Sequence, residues 1–381
     1  MKYAHLERFR VSLTTVSPVY IGASNAEKLS KRECIFDRNN GILYIPDLPQ
    51  LIEAIEKKGR LNDFETFLLQ EQSQQGDRVT LRDFLRNINL PLQPDAPWVR
   101  YRLQTASAEY TAFNTINCFI KNAQGQPYIP GSSIKGAIRT ALLAARSREE
   151  DLLRMTQNAE MNPKNKWPGP EEYPLRSLRF ITEERKRNDA VNDLLRAVQI
   201  SDSSPFSLDS LVVCKKLELS SNGEVHGDTQ GARTGRSSPP LYRECLLPEE
   251  ETHFYITIDN NIARGLLSLD QITQALEAWF ALQRKRYDDQ FQWDTVPLHG
   301  MDCPGIPIIL GGGVGFQSKS LVYKLADPEK TRAAVHAILK AQFYKTYKSY
   351  ADDPAPYRMK IAQIGQRYYP MGRCALQVEE S

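Results

Sequence analysis

The chain has 381 residues, 41% hydrophobic, 25% charged and 9% aromatic, the proportions of a globular protein rather than a fibre, a disordered tail or a membrane protein. With 49 Lys and Arg against 46 Asp and Glu its formal charge is only +3, which excludes a protein that coats nucleic acid by bulk charge and leaves local patches for any such binding. No stretch approaches the ~18 apolar residues of a membrane span, and the opening MKYAHLERFR lacks the apolar core of a signal peptide, so a cytoplasmic chain with no membrane partner is expected.

Residues 9–21 read as a strand, in which Phe9, Val11 and Leu13 alternate with Arg10, Ser12 and Thr14, running into a Gly22-Ala23-Ser24 loop. Cys34-Ile35-Phe36 and residues 42–45 flank Asn40-Gly41, a hairpin signal. Asp47 caps a short helix with Leu48, Leu51, Ile52 and Ile55 on one face, closed by Lys57-Lys58-Gly59. Residues 61–90 read as helical, anchored by Phe64, Phe67, Leu68, Leu81, Phe84 and Leu85, and a Pro-rich run ends this helical insertion of about 47–97. Strand character returns at 113–120, a turn at 122–126 follows, and a helix starts at Ser132 or Ser133 and runs to about Arg146. Ile134, Ala137, Ile138, Ala141, Leu142 and Ala145 form its apolar stripe.

Residues 156–176 are polar and Pro-rich and read as a long loop. A second half begins near 200, with a strand over 211–219 and a Gly/Ser/Arg-rich, mobile segment over 220–240. A strand over 252–259 and a helix opened by a Ser268/Gln271 capping box follow. Next come a short strand over 307–310, a glycine-rich loop, a helix from Asp327-Pro328 to about Lys345, and a closing strand over 372–378. Halves that mix hairpins with amphipathic helices predict an α+β fold with mostly antiparallel sheets.

The six cysteines (34, 118, 214, 245, 303 and 374) are scattered singly, and the five histidines make no HxxxH. No disulfide framework, metal or other cofactor is expected from them.

Three segments carry chemistry. Gly131, Ser132 and Ser133 open a helix, with Lys135 and Arg139 one turn apart, which suits a phosphate as well as it suits a helix that merely packs its Ile/Ala face. Lys135 precedes Gly136, so this is no Walker loop. The absence of acidic residues between Arg139 and Arg148 tips the balance towards an anion. In the second segment Gly311, Gly312, Gly313 and Gly315 let the backbone approach a ligand, with Phe316 to stack on it and Lys319 to supply charge. It fails as a dinucleotide fingerprint, because Ser318 stands where the third glycine belongs. The third segment, 226–243, sets Arg233, Arg236 and Arg243 against Asp228 alone, and suits ordering on RNA or protein as well as a surface loop.

In this order LTTVSPVYIG (13–22), PGSSIKGAIR (130–139) and GGGVGFQSK (311–319) resemble the RAMP superfamily of CRISPR-associated RNA-binding proteins. Length, the long insertion and the ending YPMGRC (369–374) are most similar, within it, to the fifth subunit of the type III-A Csm effector complex. The resemblance implies two ferredoxin-like, RNA-recognition-type domains, here 1–200 with the insertion and 201–381 with the glycine-rich loop. It also implies a ribonucleoprotein of antiviral defence in which this chain caps the complex and holds the 3′ region of the CRISPR RNA during guide maturation. Its neighbours would be an RNA-cleaving backbone RAMP subunit and a small helical subunit, with host nucleases trimming the guide. Carried over by position, Gly22, the 131–139 segment and the 311–319 loop face the guide backbone.

Two departures matter. The backbone subunit carries a catalytic aspartate after its first strand, whereas residues 22–33 hold Glu27 and Glu33 and no aspartate, so a non-catalytic subunit is expected. Pro248-Glu249-Glu250-Glu251 replaces a Pro-Gly turn. The alternatives are a RAMP endoribonuclease, with His5, Glu27 and the glycine-rich loop assembling a site, and a different RAMP subunit of a related type III complex. Neither GxSxG nor HExxH occurs, and the side chains of adjacent pairs Asp288-Asp289 and Asp352-Asp353 diverge on regular elements.

Overall fold

The computed structural model describes residues 4–23, 27–30, 32–69, 79–106, 115–161, 172–180, 190–227, 241–291, 296–342 and 355–379. Alternation in the strand Leu6–Thr15 buries Val11 and Leu13 and leaves Ser12 and Thr14 half-buried. This strand is the centre of a five-stranded sheet. Its order is Ile306–Ile309, Arg373–Val378, Leu6–Thr15, Glu251–Asp259, Val198–Ile200, with every adjacent pair antiparallel. The strand expected over 9–21 stops at Thr15, where Val16 and Ser17 both donate to Arg373 O and Pro18, with no N–H, cannot continue a ladder.

The helices Gly131–Arg146 and Leu269–Arg286 pack on one face of this sheet, joining Ile134, Ile138, Ile272, Leu276 and Trp279 to Val11, Leu13, Phe254 and Ile256 in one core. The Ser268 hydroxyl caps the second helix, accepting from Gln271 N at 3.3 Å. A seven-stranded sheet runs Lys28–Ser30, Thr115–Asn117, Tyr242–Leu246, Leu211–Lys215, Val99–Thr105, Ile42–Pro46, Ile35–Asp37. A four-stranded sheet runs Val225–Gly227, Leu217–Ser220, Arg358–Ile364, Arg367–Pro370. Both the five- and seven-stranded sheets take strands from both sides of residue 200: the opening strand pairs with Glu251–Asp259 and Arg373–Val378, and Val99–Thr105 and Thr115–Asn117 pair with Leu211–Lys215 and Tyr242–Leu246.

The insertion forms its own small core. Helices Leu48–Glu56, Leu61–Leu69 and Leu81–Asn87 enclose Leu51, Ile55, Phe64, Phe67, Phe84 and Leu85, with Phe67 and Phe84 stacked at 4.9 Å. Leu68, expected as an anchor, is 45% exposed because the phenylalanine stack occupies the inward face. Other expectations are shortened or replaced. Of the strand expected over 113–120, residues 113 and 114 lie outside the described residues and the described part is Thr115–Asn117; 211–219 breaks at Lys216, whose N–H turns aside to Leu241 O. The first part of the expected 156–176 loop is the end of a helix, Glu149–Met161, whose acidic first turn complements its dipole. The last long helix is Pro328–Gln342; residues 343–345 and most of 220–240, with Arg233 and Arg236, lie outside the described residues.

Two buried charged groups tie the layers together. Glu244, fully buried, accepts from Tyr101 Oη at 3.0 Å, from Phe119 N at 2.8 Å and from Lys121 Nζ. Arg373 on the closing strand pairs with Asp288, donates to Met301 O at 2.6 Å and lies over the Phe280 ring.

Candidate nucleic-acid interface

Three segments far apart in sequence line one open cleft of about 390 Å³. Ile21 and Gly22 form one wall, the helix Gly131–Arg146 contributes Ser132, Ser133, Gly136, Ala137 and Thr140, and Ile309, Gly311, Gly312, Ser318 and Lys319 close the other side. Backbone pairing fixes this geometry: Gly22 bridges to Phe119, Ile120 N donates to Ile21 O, and Gly312 N donates to Tyr20 O at 2.7 Å. Gly311 has φ +86°, and a Cβ there would collide with Tyr20 O, so the glycine loop docks on the first loop only because that side chain is missing. Gly313 and Gly315 also have positive φ and do not line the cleft; the Arg243 guanidinium lies against Gly313 and 5.1 Å from the Tyr20 ring centre. Burial raises the Tyr20 phenol, opposed by Arg243.

The helix presents its hydroxyls and glycine to the cleft and its two cations elsewhere. Ser132, Ser133, Gly136, Ala137 and Thr140 share one flank at helical spacing, while Lys135 and Arg139 project from the next. Lys135 Nζ donates to Val198 O at 2.6 Å and Arg139 pairs with Asp193 at 2.5 Å. Burial lowers the Lys135 ammonium, as does neighbouring Arg139, against the pull of Asp193. Gly131 is a packing residue: a Cβ would strike the carbonyls of Ile200 and Ser201, and its N–H donates to Asp202 Oδ1 at 2.8 Å. The cap is therefore a distant aspartate rather than either serine, and the N-cap residue is Pro130.

Phe316 is half-buried and sets its ring edge-on to Tyr323 at 6.5 Å, so it supports the loop from within. Lys319 is exposed on the rim and makes no ion pair among the described residues. The sequence reading took in Gly136 and Ser318 within its two segments without singling them out, and missed Thr140 and Tyr20. A glycine inside an otherwise sound helix was the available signal for Gly136; the others come together only in three dimensions. Among the described residues no group of three or more His, Cys, Asp or Glu stands together as a metal site, and no helix is long and apolar enough to cross a membrane.

The fold is one of mixed α/β layers with largely antiparallel sheets. The RAMP superfamily profile matches residues 12–285, and the chain belongs to that superfamily. More particularly, it is similar to the protein called CRISPR system Cms protein Csm5 from Streptococcus thermophilus, at 29% identity over 327 residues, covering 84% of this chain and 81% of that one. It is similar also to the protein of the same name from Mycobacterium tuberculosis H37Rv, at 26% identity over 402 residues and 99% of each chain. In fold it matches the crystal structure of T. onnurineus Csm5, with a TM-score of 0.64 at 18% identity, over 96% of this chain and 99% of that one. It also matches a chain in the cryo-EM structure of a Csm-crRNA-target RNA ternary complex of a type III-A CRISPR-Cas system, with a TM-score of 0.65 at 19% identity, over 97% and 100%.

Proposed function

We propose that this chain is a non-catalytic, RNA-binding subunit of a type III-A Csm effector complex, the counterpart of Csm5, and that its cleft holds the backbone of the CRISPR RNA. The observation that carries this reading is the convergence of the 21–22 loop, the start of the 131–146 helix and the 311–319 loop on one open cleft. Hydroxyls, glycine backbone and a single exposed lysine suit phosphates and 2′-hydroxyls and ignore base identity, as a guide with a changing spacer requires. The relatives' names, and a structural neighbour solved with crRNA and target RNA, support the same assembly.

In this reading the chain works in the cytoplasm, its two ferredoxin-like units interleave strands from both sides of residue 200 rather than being its two halves, and it caps the complex at the 3′ region of the guide. The backbone and small helical subunits are its neighbours, and host nucleases trim the RNA beyond it during maturation. Among the described residues the cleft lining contains no His, Asp, Glu or Cys, hence no side chain of the usual kind to activate a 2′-hydroxyl, which favours holding over cutting.

Gly136 supplies the test. It is exposed in mid-helix, and a Cβ there would meet nothing within 4 Å. Gly136→Ala is expected to stabilise the protein by about 0.5–1 kcal/mol in thermal melts. Gly136→Glu puts a carboxylate in the cleft without disturbing the core, and is expected to weaken single-stranded RNA binding at least tenfold in filter assays. Wild-type affinity in a folded Gly136→Glu protein would remove the cleft from the account.

A further inference from the structure

The five-stranded sheet has two unlike faces. One is covered by the helices Gly131–Arg146 and Leu269–Arg286. On the other, the alternate residues of the two central strands stay exposed or half-buried: Arg8, Arg10, Ser12 and Thr14 on Leu6–Thr15, and His253, Tyr255 and Thr257 on Glu251–Asp259. Register brings them into rows, with Arg8 opposite Thr257, Arg10 opposite Tyr255 and Ser12 opposite His253. Gln377 and Gln199, both exposed, extend the rows on the flanking strands. None of these residues lines the cleft.

We infer that this free face is a second binding surface, for the bases of single-stranded RNA. Arg8 reaches diagonally across the strands to lie 3.8 Å from the Tyr255 ring centre, and the His253 ring stands edge-on to Tyr255 at 6.3 Å. Arg8 is exposed and makes no ion pair among the described residues, so its planar guanidinium presents an outer surface on which a base can stack. Arg10 is held by Glu379 at 3.2 Å, which also accepts from the Ser12 hydroxyl at 2.7 Å, keeping that side of the row in place. Thr257, Gln199 and Gln377 offer donors and acceptors to base edges. An antiparallel sheet with two helices behind and an aromatic-arginine row in front is a stacking platform, where the cleft is a phosphate cradle. Leu6 is the one exposed apolar residue on this side of the opening strand, and the rest of the row is arginine, aromatic, hydroxyl and amide, which favours RNA over an apolar protein loop.

The test uses the full-length chain and a thiouridine-substituted single-stranded RNA, with affinity read by anisotropy and crosslinks mapped by peptide sequencing. Tyr255→Ala, which removes the ring that holds the Arg8 guanidinium flat, is expected to weaken binding about fivefold or more, from the lower end of the range for one base stack. Tyr255→Phe, which keeps the ring, should stay within about twofold of wild type, and Arg8→Glu, at an exposed site, should weaken binding without lowering the melting temperature. Crosslinks should fall within residues 251–259 and persist in Gly136→Glu, so that this surface and the cleft fail or stand separately. Wild-type affinity in both Tyr255→Ala and Arg8→Glu, with crosslinks confined to the cleft loops, would overturn the inference. So would variants that keep RNA affinity and lose a protein neighbour instead.

Discussion

Lys135, Arg139 and Lys319 illustrate how one residue type plays different parts once its surroundings are known. A buried lysine loses hydration, and Lys135 recovers part of it by donating to Val198 O. Arg139 spends its charge on Asp193. Both hold the helix start against residues 193–202, and only Lys319 stands on the cleft rim. The cleft therefore neutralises about one phosphate, and Lys319→Ala is expected to reduce the slope of log affinity against log salt by about 0.7, the single-strand value for one phosphate. Lys135→Ala is expected to leave that slope unchanged and to lower the melting temperature. Titrating RNA affinity from low to high salt in both variants checks this; an equal loss of slope in Lys135→Ala would place that ammonium on the RNA after all.

Elements were legible in the sequence where a local signal sufficed. Asp47 and Ser268 cap the helices expected of them, the Asn40-Gly41 hairpin forms, and strands over 252–259 and 372–378 appear within a residue of the bounds expected of them. The convergence of the three motifs was legible only through their resemblance to a family, since no spacing rule brings residues 22, 136 and 312 together. Long-range partners were not legible: Asp202 as cap, Asp193 as counter-ion and Asp288 as the mate of Arg373 all lie on other elements. That last pair is buried on both sides and links the closing strand to the turn after the 269–286 helix. Burial raises the Asp288 carboxyl while Arg373 opposes it. Arg373→Ala leaves a buried carboxylate uncompensated and is expected to cost about 3–5 kcal/mol in urea unfolding; a loss below about 1 kcal/mol would show the pair to be dispensable.

In the four-stranded sheet, Glu218 is surrounded by Lys360, Lys216 and Arg358. Burial pushes its carboxyl up, but Lys360, with Lys216 and Arg358, outweighs that and holds it at about 2, below its ordinary 4.5. A folded value below the unfolded one contributes stability that is present above pH 4.5 and is lost as the pH falls towards 2. The urea midpoint is therefore expected to drop across that window in the wild type and to drop less in Glu218→Gln; parallel acid limbs in the two proteins would contradict the assignment.

At the scale of the whole molecule, the chain closes on itself: its first strand lies between strands from its last third, and the glycine loop lies on the first loop. A cleft made this way exists only in the complete fold; under the proposed function, a protein of net charge +3 holds RNA through placement rather than through charge. The central claim is that this cleft retains a guide within a Csm assembly. The most direct measurement is a tagged pull-down from a host expressing the CRISPR array, with the attached proteins identified and the attached RNA sequenced, for wild type and Gly136→Glu side by side. The account predicts repeat-derived guides together with other Csm subunits on the wild type, and guides depleted at least tenfold on the variant. A wild-type protein that emerges alone, or a folded Gly136→Glu protein that carries as many guides as the wild type, would contradict it.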